Sequence, residues 1–399
     1  MPTSPPNPAP EHAPPHVPDH SMLLAHTAAA LPEMLEQLRA WVEWESPSQE
    51  PERVRGLARE VAAAFESAGC RATFHPDALE LTYPGTRDAV DAPILLLGHL
   101  DTVYPVGSLP AMPFRLGEGE EADRAYGPGV FDMKAGLVQA LCALQALRHS
   151  PRTTSHSPIT LLFVYDEEIG SPRSREQSEP VMREARAVLV LEPAAGADGK
   201  LKIARKGTAR YRLTAHGVAA HAGLDFALGA SAIVELAHRV VEVAGWSAAE
   251  RGVTVNAGLI AGGTAANVVA GQAHADIDAR AWTAAEQHVL DSRFRSLVAT
   301  DARVRLEVDG GISRPPMEVS PASDALRARA QNLAAGLGFT LGAMRVGGAS
   351  DGNLAAALGR PTLDGLGAVG AGAHTADEHI LIAHLAPRAA LLAALLAEL

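Results

Sequence analysis

Cysteine is nearly absent. Only Cys70 and Cys142 occur in the 399 residues, the second inside an apolar helical run. No disulfide framework is available, and such a chain suits a reducing compartment. A surplus of basic charge is missing too: 34 Lys and Arg stand against 46 Asp and Glu, a net charge of −12. With no basic cluster, nucleic acid and anionic membrane surfaces are excluded as expected partners. No apolar run is read as reaching bilayer-spanning length, and the first Lys or Arg is Arg39, so the basic start of a secretory signal is missing. A cytoplasmic location is the expectation.

What is present is 47% hydrophobic residues in a chain longer than one core usually fills, so two domains are expected. Residues 1–25 read as a disordered tail. The first 20 hold eight prolines with His12, His16 and His20, a composition that cannot build a packed core. Apolar spacing predicts helices over Leu31 to Trp44 and Glu52 to Ala68, after which strands alternate with helices such as Gly136 to Arg148. This is α/β architecture. Near Gly207 the texture changes to a strand, a helix, two strands, a helix at Thr283 to Ala299 and a last strand, Val304 to Val308. That βαββαβ order suits a ferredoxin-like unit over 207–311, inserted between catalytic segments 26–206 and 312–399.

Three buried-strand runs end in acids or imidazoles. Ile94 to Leu97 runs into Gly98-His99-Leu100-Asp101, Thr160 to Tyr165 into Asp166-Glu167-Glu168, and Ala187 to Leu191 into Glu192. Ligand crevices in open α/β sheets lie beyond the carboxyl ends of the strands, so these side chains are expected to meet. With Asp132 and His374 they give two imidazoles and several carboxylates, which suit zinc, or cobalt or manganese, over an all-oxygen ion. His99, Asp132, Glu168, Glu192 and His374 are too many ligands for one open ion and fit two ions sharing one carboxylate. Asp101, two residues after His99, is placed to accept the second imidazole N–H. Of the adjacent Glu167 and Glu168, one can bind metal while the other serves as general base. The glycine-rich stretches 258–263 and 365–372 lack the strand, turn and helix context of a nucleotide site.

With the segments Tyr126 to Gly136 and Gly372 to Glu378, these motifs resemble the M20 family of metallopeptidases, most closely its glutamate carboxypeptidase branch. The resemblance implies a mixed-sheet two-metal exopeptidase domain carrying an inserted α+β dimerisation lid. It also implies that His99 and Glu192 hold one ion, Glu168 and His374 the other, and that Asp132 bridges. Glu167 becomes the catalytic base and Asp101 the partner of His99. In the lid, His221 of Gly217-Val218-Ala219-Ala220-His221 is similar to a histidine that stabilises the oxyanion in a partner subunit, with Ala220 where the family often has Ser. Asn267 and Arg280 resemble residues that hold the substrate carbonyl or carboxylate, and Ala270 replaces the usual proline after Asn267-Val268-Val269. Gly348, in Gly347-Gly348-Ala349-Ser350-Asp351-Gly352, resembles part of a substrate-pocket loop, where glycine allows close backbone approach.

The expectation is a homodimeric two-metal hydrolase, glutamate carboxypeptidase-like, that cleaves the peptide or amide bond of a small substrate with a free C-terminal carboxylate. An N-acyl amino acid amidohydrolase is the alternative. A binding protein that has lost turnover is the third reading, opposed by the retained charged cluster.

Overall fold

A computed structural model describes residues 20–86, 92–149 and 156–399. In chain order it runs through α1 (Ser21–Ala29), α2 (Leu31–Val42), α3 (Pro51–Ser67), β1 (Arg71–Phe74), β2 (Ala78–Tyr83) and β3 (Ile94–His99). Then come α4 (Ala135–His149), β4 (Ile159–Val164), α5 (Arg175–Glu184), β5 (Ala187–Val190) and β6 (Leu201–Arg205). The inserted unit follows as β7 (Gly207–His216), α6 (Ala232–Ala244), β8 (Thr254–Gly262), β9 (Gln272–Ala281), α7 (Ala284–Arg295) and β10 (Arg305–Arg314). The chain closes with α8 (Pro321–Gly336), β11 (Ala343–Val346), α9 (Gly352–Ala357), β12 (Thr362–Leu363) and α10 (Leu385–Glu398).

The body is built on a six-stranded mixed sheet in the order β1-β2-β4-β3-β5-β12. β4, β3, β5 and β12 run parallel, and β1 and β2 add an antiparallel edge. Every residue of β3, β4 and β5 is buried, as expected of parallel strands covered on both faces. Alternation divides them: Ile94, Leu96, Leu161 and Leu189 join the core under α4 and α10, whereas Leu95, Leu97, Leu162 and Val188 join a second core with Met182 and Leu354. From β3 the chain first adds β4 on one side and later β5 on the other. That reversal makes the carboxyl end of β3 the topological switch point, where crevices open in such sheets.

Three expectations change. The tail expected over 1–25 gives way at residue 20 to α1, because Leu23 and Thr27 are buried, α1 packs against α10, and His20 Nε2 lies 3.1 Å from Glu398 Oε1. His12 and His16 fall outside the described residues. The segment Val130–His149 is in fact long and apolar enough to cross a membrane, but 89% of it is buried inside the body. Its all-round hydrophobicity is that of a core helix. The last inserted strand, β10, runs to Arg314, past Val308 where the strand is expected to end and past residue 311 where the inserted unit is expected to end. It stays paired with β7, Gly310 opposite Tyr211 and Gly311 opposite Arg210, so cross-strand pairing carries it through both glycines.

The inserted unit has the antiparallel order β8-β9-β7-β10 and a core of its own, including Tyr211, Leu213, Leu236, Ile277 and Phe294. Along β9, Ala273, Ala275, Ile277, Ala279 and Ala281 are buried on the helix-covered face, and Asp276, Asp278 and Arg280 lie on the open face.

Candidate metal centre

His99, the last residue of β3, is buried at the switch point. Its Nδ1 lies 2.9 Å from the main-chain oxygen of Asp101 and 3.5 Å from that residue's carboxylate. A carbonyl only accepts, so Nδ1 carries the proton and Nε2 is free to be a ligand. The carboxylate expected to accept this N–H stands farther from Nδ1 than the carbonyl does, and it has a second job. Asp101 accepts from the amides of Glu167 and Glu168, each at 3.1 Å, and from Ser48 Oγ at 2.6 Å. It thereby fixes the turn that presents both glutamates.

Asp132 precedes α4 in a turn entered through Gly129, whose φ is +70° and where a Cβ would stand 2.6 Å from Thr102 Cγ2. One carboxylate oxygen of Asp132 faces each imidazole: Oδ1 is 3.2 Å from His99 Nε2, and Oδ2 is 3.6 Å from His374 Nε2. Glu192 Oε1 lies 3.7 Å from His99 Nε2, and Glu168 Oε2 lies 3.2 Å from His374 Nε2. The five side chains thus fall into two sets joined by Asp132. His374 itself has φ +64°, a strained value for a residue with a side chain.

The electrostatics fit cations. Burial pushes Glu168 up to about 7 and raises Glu192 and Glu167. Burial also works against Asp132, but the imidazoles of His374 and His99 facing it hold it well below the usual carboxylate range. Asp132 first, and Glu168 next, raise His374 to about 10. Glu168 Oε1 is buried with no hydrogen-bond partner. Closely packed acids that resist ionisation, one with an orphaned oxygen, are what a divalent ion relieves on displacing protons. The donor set of imidazole and carboxylate fits zinc, cobalt or manganese.

Several supporting residues escaped the sequence reading. Glu378, quoted there without a role, accepts from the amides of Phe131 (2.8 Å), Asp132 (2.9 Å) and Gly129 (3.2 Å) and from the Tyr104 hydroxyl, so it holds the Asp132 turn. Arg205 donates to Glu192 Oε2 at 2.9 Å and grips Asp364 through two bonds of 2.7 and 2.8 Å. Arg314 Nη1 lies 2.9 Å from Glu167 Oε1. Lys134 is buried with its Nζ 2.8 Å from the carbonyl of Trp44, and burial lowers it to about 7. A charged residue in a strand sequence shows neither its burial nor its distant partner, so Arg205 and Arg314 carried no local signal.

The inserted unit's residues stand apart. His221 and Asn267 are both exposed and lie side by side: the short strands Ala220–His221 and Val268–Val269 pair, and the Ala222 amide donates to the Asn267 carbonyl at 2.9 Å. Among the described residues, neither side chain bonds to the metal centre within one chain. His221 Nδ1 accepts from the amides of Gly223 and Leu224, each at 3.1 Å, which leaves Nε2–H as its donor. Arg280 is already engaged, by Asp278 at 2.8 and 3.3 Å and by the Gly347 carbonyl at 3.1 Å. The carbonyl of Gly348 accepts from Arg205 at 3.3 Å. A Cβ at Gly348 would find open space up to Arg205 Nη1 at 4.0 Å. Packing within the chain therefore does not demand that glycine.

The sequence profile of peptidase family M20/M25/M40 matches residues 95–398. Carboxypeptidase G2 from Pseudomonas sp. (strain RS-16) is 32% identical over 287 residues, covering 71% of this chain and 68% of that protein. A probable carboxypeptidase from Aspergillus terreus is 34% identical over 215 residues, and there the match spans about half of each chain: 50% of this one and 46% of the relative. Among solved structures, the aminopeptidase PepT from Bacillus cereus superimposes with a TM-score of 0.74 at 22% identity, covering 94% of this chain and 98% of that one. The YXEP protein of Bacillus subtilis, a dinuclear metal binding peptidase, gives 0.69 at 14% identity, covering 93% and 98%. These structural likenesses concern the fold.

Proposed function

The chain belongs to peptidase family M20/M25/M40, and from that premise we propose that it is a two-metal carboxypeptidase acting on small substrates with a free C-terminal carboxylate, glutamate-ended ones first. The observation that carries this reading is Asp132, with one oxygen toward each of two imidazole–carboxylate sets. His99 and Glu192 would hold one ion, Glu168 and His374 the other, and Asp132 would bridge. Two such ions, zinc by preference, acidify a water and polarise the scissile carbonyl.

Glu167 supplies the proton transfer: its carboxylate takes a proton from the attacking water and returns it to the leaving nitrogen. Burial raises its affinity for a proton, the direction a base working near neutral pH requires. Asp101 holds the glutamate turn and the His99 ring in register. Arg280, released from Asp278, would grip the substrate carboxylate through its planar fork. The Nε2–H of His221 and the Asn267 amide would donate to the carbonyl oxygen as charge develops there.

His221 would do so in a second copy of the chain. Supporting a homodimer, β8 is an edge strand with exposed Leu259 and Ile260, and α6 exposes Ile233, Val234 and Val241. A cytoplasmic location agrees with two buried free cysteines. The carboxypeptidase relatives favour this reading over the N-acyl amino acid alternative.

Hydrolysis of a matched panel of dipeptidyl and N-acyl amino acids by zinc-reconstituted protein, with and without chelator, tests it. Chelator-sensitive release of C-terminal glutamate is expected. Preference for simple N-acyl groups would move the protein to the amidohydrolase reading. Glu167→Gln should lower turnover by about 10²- to 10⁴-fold while bound metal, measured by elemental analysis, stays the same.

A further inference from the structure

Both connections between the inserted unit and the body deliver an arginine to an acid of the metal centre. β6 ends at Arg205, two residues before β7 begins, and β10 ends at Arg314, which pairs with Thr208 of β7 across the sheet. Arg205 reaches Glu192, and Arg314 reaches Glu167. The second contact is the more elaborate. While Nη1 of Arg314 pairs with the Glu167 carboxylate, Nη2 donates to the Glu167 carbonyl (3.1 Å), to Ser171 Oγ (2.9 Å) and to Asp351 Oδ1 (2.7 Å). One planar fork therefore holds both side chain and main chain of Glu167. Arg314 is 7% exposed, and withdrawing it would strand two buried carboxylates without a cation.

The inserted unit holds the other end of this arginine. Gln287 of α7 is 2% exposed, and its Nε2 donates to the carbonyls of Arg314 (2.9 Å) and Thr208 (3.2 Å). It seats so closely against the start of β7 that a Cβ on Gly207 would come within 2.6 Å of that nitrogen. A continuous series of bonds thus runs from α7 through Gln287 and Arg314 to Glu167.

We propose, on the reading of Glu167 as the base, that Arg314 is a positioning residue that aims the Glu167 carboxylate, and that Gln287 makes this aim depend on how the inserted unit is seated on the body. A carboxylate displaced by about 1 Å from its proton donor costs on the order of 100-fold in rate, so a small shift of β10 is enough to switch turnover down. The charge alone would be supplied by any cation at this place. What singles out Arg314 is that its backbone belongs to the inserted unit while its fork belongs to the base.

The experiment compares Arg314→Gln, Arg314→Lys and Gln287→Met in full-length, zinc-reconstituted protein. It follows kcat, KM, bound metal, melting temperature and amide exchange of the turn 167–171. Turnover by the unaltered protein and its loss in Glu167→Gln are measured first, so that failure of the base assignment is seen separately. Arg314→Gln is expected to lower kcat by on the order of 100-fold with KM and metal content unchanged, and to speed exchange in the turn. Arg314→Lys keeps charge without the fork and should recover part of that loss. Gln287→Met alters none of the proposed metal ligands and leaves Glu167 and the Arg314 side chain in place, yet is expected to lower kcat by about 2- to 30-fold with KM unchanged. Normal kcat per metal-loaded site in Arg314→Gln, or in Gln287→Met, overturns the proposal. If Arg314→Gln does not fold, Arg314→Lys and Gln287→Met carry the same test.

Discussion

At the scale of single residues, the site is organised by acids that bind backbone as much as by those that face one another at its centre. Glu378 collects the amides of Gly129, Phe131 and Asp132 on one buried carboxylate, so Asp132, the proposed bridge, is oriented without a cation. Glu378→Gln keeps the size of the side chain and loses the charge that makes these bonds strong. Metal affinity should fall by about 10- to 100-fold, read by chelator competition, while the fold persists. The cysteines carry a different prediction. Burial pushes Cys70 and Cys142 up to about 12, so both are neutral and sheltered at physiological pH. Native protein should resist alkylation at pH 8 and react fully in denaturant. Because both thiols titrate higher folded than unfolded, their contribution to stability is intact below about pH 9 and is lost as pH rises toward 12. Alkaline melting curves of Cys→Ala variants should show a weaker decline across that window.

At the scale of elements, β3 matters most, because it separates two cores and ends at the candidate ligand His99. Leu96 is fully buried on the α4 side. Leu96→Ala removes methyl groups that the packed body cannot refill, and should cost about 2 to 5 kcal/mol in urea unfolding. Loss of less than about 1 kcal/mol would mean that the site can collapse around the change. The same packing accounts for α4: a helix buried on nearly all sides has no reason to be amphipathic, so Val130–His149, which contains it, matches a membrane span in length and apolarity without implying one. β10 shows the opposite case, where a strand runs on through the glycine pair Gly310-Gly311 because it is paired with β7 from His216 to Thr208.

At the scale of the whole molecule, the centre lies in the body while His221 and Asn267 project from the inserted unit with no bond to it in the same chain among the described residues. If a second copy supplies His221, mixing His221→Ala protein with Glu167→Gln protein should restore part of the activity that each lacks. In the mixed dimer one site then has an intact base and receives an intact histidine. No recovery after subunit exchange, confirmed by mass measurement of the mixed species, would count against the cross-subunit site. Charge on the exposed edge of β8, as in Ile260→Asp, should give monomers by sedimentation and low activity together.

Much of this was legible in the chain itself. Parallel strands buried on both faces must be continuously apolar, so a strand that stops at an acid or imidazole marks its own carboxyl end; that is why His99, Glu167, Glu168 and Glu192 stood out. Strand and helix periodicity likewise exposed the βαββαβ order of the inserted unit. The tertiary structure decided what depends on partners far away in sequence. It gave the Asp101 carboxylate to the glutamate turn and Glu378 to the Asp132 turn. It also brought Arg205 and Arg314 to the site acids from the two ends of an insertion of about one hundred residues. Periodicity is a local property that any window of residues carries, whereas a buried ion pair exists only once the fold has removed both charges from water and placed them face to face.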